Sequence, residues 1–143
     1  MNTFKNISNE INNFVTNHAV LQSYVCKDSS FYNSTDYTYP LIWLSPVTVT
    51  PAQGQIIYTC ELIIADILTE NQDYDKVLSD INILLAEFLS YFDDNNSDLF
   101  NFFIRQAGAF NVFPTGIDDT CGLIGNINII TPFDFDYNNI RFK

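Results

Sequence analysis

Basic residues are scarce in this chain: six Lys and Arg stand against seventeen Asp and Glu, a formal net charge of −11 over 143 residues. That imbalance argues against tight electrostatic capture of nucleic-acid phosphates by a single subunit, and leaves room only for an acidic wall past which DNA slides. A single His18 and three widely spaced Cys (Cys26, Cys60 and Cys121), with no CxxC, cannot complete a Cys/His zinc pattern. The odd cysteine count reads as free thiols and a reducing site of synthesis. Five scattered Gly form neither GxGxxG nor a Walker loop, and GxSxG and HExxH are missing as well. No apolar run approaches the length of a membrane span, because "IIYTCELIIADIL" is broken by Glu61 and Asp66. "MNTFKNISNEINNFV" lacks a basic region followed by an apolar one, so it does not read as a signal peptide. The N-x-S/T sequons at Asn6, Asn33 and Asn95 are what an Asn-rich chain produces by chance.

What is present is apolar and aromatic. Hydrophobic residues make up 47% of the chain and charged ones 16%, with thirteen Phe and eight Tyr, which excludes a disordered protein. The length suits one domain over residues 1–143: a helix over 1–18, an α+β core over 20–133 and a polar-aromatic tail over 134–143.

Phe4, Ile7, Ile11, Phe14 or Val15, and His18 recur every three or four residues, predicting an amphipathic first helix. His18 ends that stripe and reads as a half-buried terminal residue. "VLQSYVCK" predicts a short strand, "DSSFYNSTD" a turn, and "YPLIWLSP" a strand with Pro40 at its start and Trp43 in the core or an interface. "VTVTPAQGQ" reads as a loop or hairpin tip, and 55–68 as a central strand covered on both faces. Asp73 then caps a helix whose stripe is Val77, Leu78, Ile81, Leu84, Leu85, Phe88 and Phe92. "LFNFFIR", "AFNVFP" and "DDTCGLIGNINIITPF" predict three further strands, the last bent at Gly122 or Gly125. Strands that follow one another without intervening helices point to the α+β class, a mainly antiparallel sheet with two helices on one face.

Candidates for chemistry are few. Asp118, Asp119, Asp134 and Asp136 could bridge a hard cation in a small metal-dependent hydrolase, although a turn before the last strand explains the Asp118–Asp119 pair equally well. "DDNNSDLFNFFIR" mimics a calcium loop but places Leu99 and Arg105 where Gly and Glu belong. We therefore expect no catalytic residues, no metal and no cofactor. An acidic inhibitor or adaptor for a basic partner is the other alternative.

Asp73, Asp80, Glu87 and Asp94 fall seven residues apart, a stripe drifting by about 20° per repeat along the second helix. Asp73 and Asp80 lie near the helix N-terminus, where a negative charge is favourable by about 0.3 to 1 kcal/mol. The remainder of the outward face, Ser79, Asn82, Ile83, Ala86 and Ser90, is almost uncharged, which predicts that another chain covers it. Phe31, Tyr32 and Tyr37 in one loop and Phe133, Phe135 and Tyr137 in the tail have the composition of interface anchors.

"YPLIWL" at 39–44, "YTCELIIADIL", "KVLSDINILLAEFL" and "DDTCGLIGNINIITPF", in this order and spacing, resemble the tail-terminator or tail-completion proteins of the head-to-tail neck of tailed bacteriophages, particularly those of phages infecting Bacteroidetes-type hosts. The resemblance covers residues 37–133, with Leu78-Ser79-Asp80 opening the helix as its strongest element. It implies a tail-terminator-like α+β subunit of a closed ring, on the order of six or twelve copies, with no catalytic step. The implied location is the virion, after synthesis in the host cytoplasm. The implied partners are further copies, neck, portal and tail proteins and, transiently and non-specifically, passing DNA, with no membrane. In such a ring the acidic stripe would face the lumen, where a single negative sign keeps DNA from sticking, or a neighbouring subunit.

Overall fold

The computed structural model describes residues 3–28, 37–68, 73–115, 120–133 and 141. Helix α1 (Phe4–Asn17) leads to strand β1 (Ser23–Cys26), and β2 (Leu41–Ala52) and β3 (Gln55–Ile67) form a long hairpin. Helix α2 (Tyr74–Tyr91) follows, then a 3-10 turn (Asp94–Asn96), a short α3 (Ser97–Phe100), and strands β4 (Phe103–Thr115) and β5 (Thr120–Pro132). The strands make one sheet in the order β1-β2-β3-β5-β4, antiparallel except for the β1–β2 pair. The fold is thus α+β. A parallel neighbour requires a long connection, and the chain between Cys26 and Leu41 supplies it.

The second helix begins at the predicted Asp73 cap, and the first, expected over 1–18, begins at Phe4 behind Thr3. The Thr3 side chain accepts from Asn6 N–H at 3.2 Å, and the Asp73 side chain accepts from Asp75 N–H at 3.0 Å, each satisfying an otherwise free amide of the first turn. Ile7, Ile11 and Val15 of α1 and Val77, Ile81, Leu84 and Phe88 of α2 are buried against Ile42, Leu44, Cys60, Leu62, Ile64, Leu123, Ile127 and Ile129 of the sheet. Each such apolar side chain contributes about 1.5 to 3 kcal/mol relative to exposure. A Ser8 to Tyr24 hydroxyl contact of 2.7 Å also ties α1 to β1, and burial pushes the Tyr24 phenol well above its ordinary pKa. Phe14, Phe88, Tyr91, Phe92, Phe100 and Phe102 form a continuous aromatic cluster where the helix ends meet β4.

Alternation along the strands sends Leu41, Trp43, Ile63 and Ala65 to the opposite face, where Tyr37, Tyr39 and Phe113 pack over them. Trp43 is fully buried, and its indole N–H donates to the Lys27 carbonyl at 2.9 Å. The predicted central strand is therefore covered on both faces, with Thr59 and Glu61 only partly buried.

Two predicted boundaries differ from those observed. The segment read as a loop or hairpin tip at 47–55 is a hairpin tip, but β2 continues as far as Ala52, with only Gln53 and Gly54 turning the hairpin and Gly54 at φ 76°. Pairing with β1 stops at Leu44, so among the described residues the distal half of β2 is an edge, where Pro46 and Pro51 leave no ladder bond unmade. The β-branched Val47, Thr48, Val49 and Thr50 then favour extension, with one register shift between Pro46 and Thr48. "LFNFFIR" and "AFNVFP" are not two strands. The first opens in α3, which ends at Asn101 with φ 60°, and the remainder joins the second as β4. Both halves pair with β5 across an irregularity between Ala107 and Asn111, where Gly108 has φ 91°.

Candidate functional site

The acidic stripe is a set of separately partnered carboxylates. Asp73 caps α2 as described above. Asp80 lies 3.2 Å from Lys76 one turn earlier, a pair exposed at both ends and worth less than about 1 kcal/mol. Glu87 Oε2 meets His18 Nε2 at 2.5 Å. Asp94 is not on α2 at all: it opens the 3-10 turn and faces Arg105 at 3.5 Å. The cation needed by a carboxylate just past the C-terminal end of α2 thus comes from β4.

His18 gains the partner that the sequence did not reveal. It follows the last residue of α1, and its Nδ1 accepts from Val20 N–H at 3.0 Å and Leu21 N–H at 3.3 Å. With Nδ1 so occupied, the ring N–H lies on Nε2 and points at Glu87. One imidazole therefore shapes the turn into β1 and fastens it to α2.

Beside this contact lies a groove of about 260 Å³ lined by His18, Val20, Pro40, Asp66, Asp80, Ile83, Leu84 and Glu87. Four separate segments build it. The α1–β1 turn brings His18 and Val20, and the residue before β2 brings Pro40, whose carbonyl accepts from Gln22 N–H at 2.9 Å. The end of β3 brings Asp66, and two turns of α2 bring the rest. Asp66 accepts from Ile67 N–H at 2.8 Å. Burial, helped by the nearby charge of Asp80, nevertheless pushes its carboxyl above the ordinary carboxylate range. Asp80 and Glu87 of the predicted stripe thus line one groove with Asp66, which in the sequence shows only as a charge that breaks an apolar run.

The outward face of α2 is exposed at Ser79, Asn82, Ile83, Ala86 and Ser90, and Ile83 is 55% exposed. The Ser79 hydroxyl turns back to donate to the Asp75 carbonyl at 2.7 Å, so it presents little polarity outward. Among the aromatic candidates, Tyr37 packs inward, its ring edge-on to Trp43 with centroids 5.5 Å apart. Phe133 is half-buried, and its N–H donates to the Gly54 carbonyl at 2.9 Å. Phe31, Tyr32, Phe135 and Tyr137 lie outside the described residues, as do Asp118, Asp119, Asp134 and Asp136. Among the described residues no three His, Cys, Asp or Glu side chains group to hold a metal ion. The thiols do not assemble either: Cys60 is buried and pushed up to about 12 by that burial and by Cys26, and burial with the charge of Asp66 raises Cys121.

No protein-family model matches the chain, and neither does any curated protein sequence.

Proposed function

We propose that the protein is a structural subunit of a ring at the head-to-tail neck or tail top of a tailed bacteriophage, one that joins the portal side to the tail around a DNA passage. The observation that carries this reading is the outward face of α2. Ser79, Asn82, Ile83, Ala86 and Ser90 are exposed and uncharged, with Ile83 at 55% exposure, in a chain of net charge −11. Charges stand at its start and along its rim, at Asp75, Lys76, Asp80 and Glu87, but the stretch between them is uncharged, and such a stretch on so acidic a protein is suited to cover by another chain.

Two further features support assembly. The sheet is open, with a four-residue β1 at one edge and a thirteen-residue β4 at the other, so the subunit presents different surfaces at its two sides. A closed ring is built by joining two unlike surfaces of this kind. Val47 and Val49 also stand out from the β2–β3 hairpin, at 61% and 57% exposure, on a stretch that pairs with no other strand than β3 among the described residues. The sequence resemblance to tail-terminator proteins supplies the location, in the virion, and the partners, which are neck, portal and tail proteins. Net acidity suits a passage through which DNA moves without adhering. Among the described residues no helix is long and apolar enough to cross a membrane.

The test is sedimentation of the purified protein and of Ala86→Arg. The wild type is expected to form closed rings. Ala86→Arg, which places a long charged side chain on an exposed helical position, should remain folded and shift towards monomer. Intact rings in that variant would remove the α2 face from the interface. A wild type that stays monomeric at high concentration would refute the ring.

A further inference from the structure

His18, the chain's single histidine, serves a different neighbour with each ring nitrogen. Nδ1 accepts from the Val20 and Leu21 N–H groups, and Nε2 faces the Glu87 carboxylate. The side chain is only 12% exposed, at the seam between the α1–β1 turn and α2, with the Phe14 ring 5.4 Å away. The bonds to the turn exist only while Nδ1 keeps its lone pair. An imidazolium donates from both nitrogens, so a second proton sets a third donor against the two N–H groups. Water can take over the N–H of Val20, a half-exposed residue. Leu21 is buried, and its N–H reaches a new partner only if the turn opens.

The surroundings attract positive charge to this point. Among the described residues lining the hollows on either side of the ring, the titratable ones are Asp66 at the end of β3 and Asp80, Glu87 and Tyr91 on α2. Three of these are carboxylates, and Asp80 also pairs with Lys76 on its exposed side. A charged ring that stays in the turn holds Nδ1–H against two other donors. One that swings out of the turn remains beside Glu87, Asp80 and Asp66, where its N–H groups meet acceptors. Imidazole is the side chain whose charge ordinarily changes between about pH 5 and 8.

We propose that His18 is a proton-operated latch: neutral, it closes the α1–β1 turn onto α2, and on taking a second proton it releases the Val20 and Leu21 amides, stays with the groove carboxylates and opens the turn. Val20 moves with the turn, and so does the contact to Pro40, whose carbonyl holds Gln22 N–H at 2.9 Å. Proton uptake at one side chain therefore reshapes one wall of the groove. The latch belongs to the single subunit and is independent of the ring.

The test is NMR of the intact chain, in which one imidazole gives one set of ring signals. At about pH 8, proton–nitrogen correlation of the ring should place the proton on Nε2 and leave Nδ1 bare. On going to about pH 5, protection of the Leu21 amide against hydrogen exchange, corrected for the intrinsic effect of pH, should fall at least about tenfold. That loss should share its midpoint with the ring signals, while the amides of β3 stay protected. In His18→Asn, whose side chain accepts from a nearby N–H but takes no proton, Leu21 protection should be the same at both pH values. Circular dichroism checks that this variant is folded, and the wild-type midpoints decide the matter without it if it is not. A proton on Nδ1 at about pH 8 overturns the proposal. So does Leu21 protection that ignores the titration of the ring, or an equal loss of protection in folded His18→Asn.

Discussion

Gly122→Ala tests how tightly the β3–β5 pairing fixes the sheet on which both helices and the groove depend. A Cβ at Gly122 would lie 2.3 Å from the Ile64 carbonyl oxygen and 2.8 Å from the Phe113 ring, where ordinary contact begins at 3.4 Å. The first obstacle is backbone on a strand held from both sides, so relief requires β3 and β5 to move apart. Overpacking of this kind costs about 1 to 3 kcal/mol, and the unfolded-chain entropy lost on replacing Gly offsets about 0.4 to 1 kcal/mol. We expect a net loss of about 1.3 kcal/mol, which for a domain of this size lowers Tm by about 4 °C. Gly125→Ala is the control. The three atoms nearest its added Cβ all belong to the Phe110 ring, Cγ at 2.7 Å, so relief requires that half-buried side chain on the edge strand to leave its rotamer, with no backbone among those nearest atoms. Its expected cost is below about 1 kcal/mol. Urea titrations with a shared slope, together with calorimetric melting, measure both. The argument fails if Gly122→Ala melts with the wild type, or if Gly125→Ala proves the more damaging change.

Two other outcomes follow from buried titratable groups. Asp66 has its folded-state pKa raised, so the native state holds the proton more tightly than the unfolded chain does. Stability from this group is greatest below the unfolded value and falls as pH rises through the folded one. Asp66→Asn should therefore be more stable than the wild type at pH 7, with the gain vanishing below about pH 3.8; denaturant midpoints that move the other way would contradict the burial argument. Alkylation of the native protein at pH 8 should mark Cys26 alone, because Cys60 and Cys121 are buried and hold their protons. Mass spectrometry showing native Cys60 modified as fast as Cys26 would refute that.

Both long helices, the Asp73 cap and the central place of the 55–68 strand were legible because they rest on local signals. Apolar residues at helical spacing, a capping carboxylate and a run too apolar for any surface need no partner to be recognised. The distal half of β2 was hidden because Pro46 and Pro51 normally end strands. Only the absence of β1 beyond Leu44 makes that flank tolerant of them. The unity of β4 was equally hidden, since Gly108 reads as a break until one sees both halves pairing with β5.

The stripe of Asp73, Asp80, Glu87 and Asp94 separates the two levels most clearly. Spacing along the chain determined that Asp80 and Glu87 line one side of α2, and composition determined that Ser79, Asn82, Ile83, Ala86 and Ser90 beside them carry no charge. Only the tertiary structure decided that Glu87 belongs to His18, sixty-nine residues away, that Asp94 belongs to Arg105 on β4, and that Asp80 shares a groove with Asp66. Periodicity records which way a side chain points from its own element. Which groups then meet depends on how elements distant in sequence pack, and in this protein that is set by the sheet register and by the turn that His18 holds between α1 and β1.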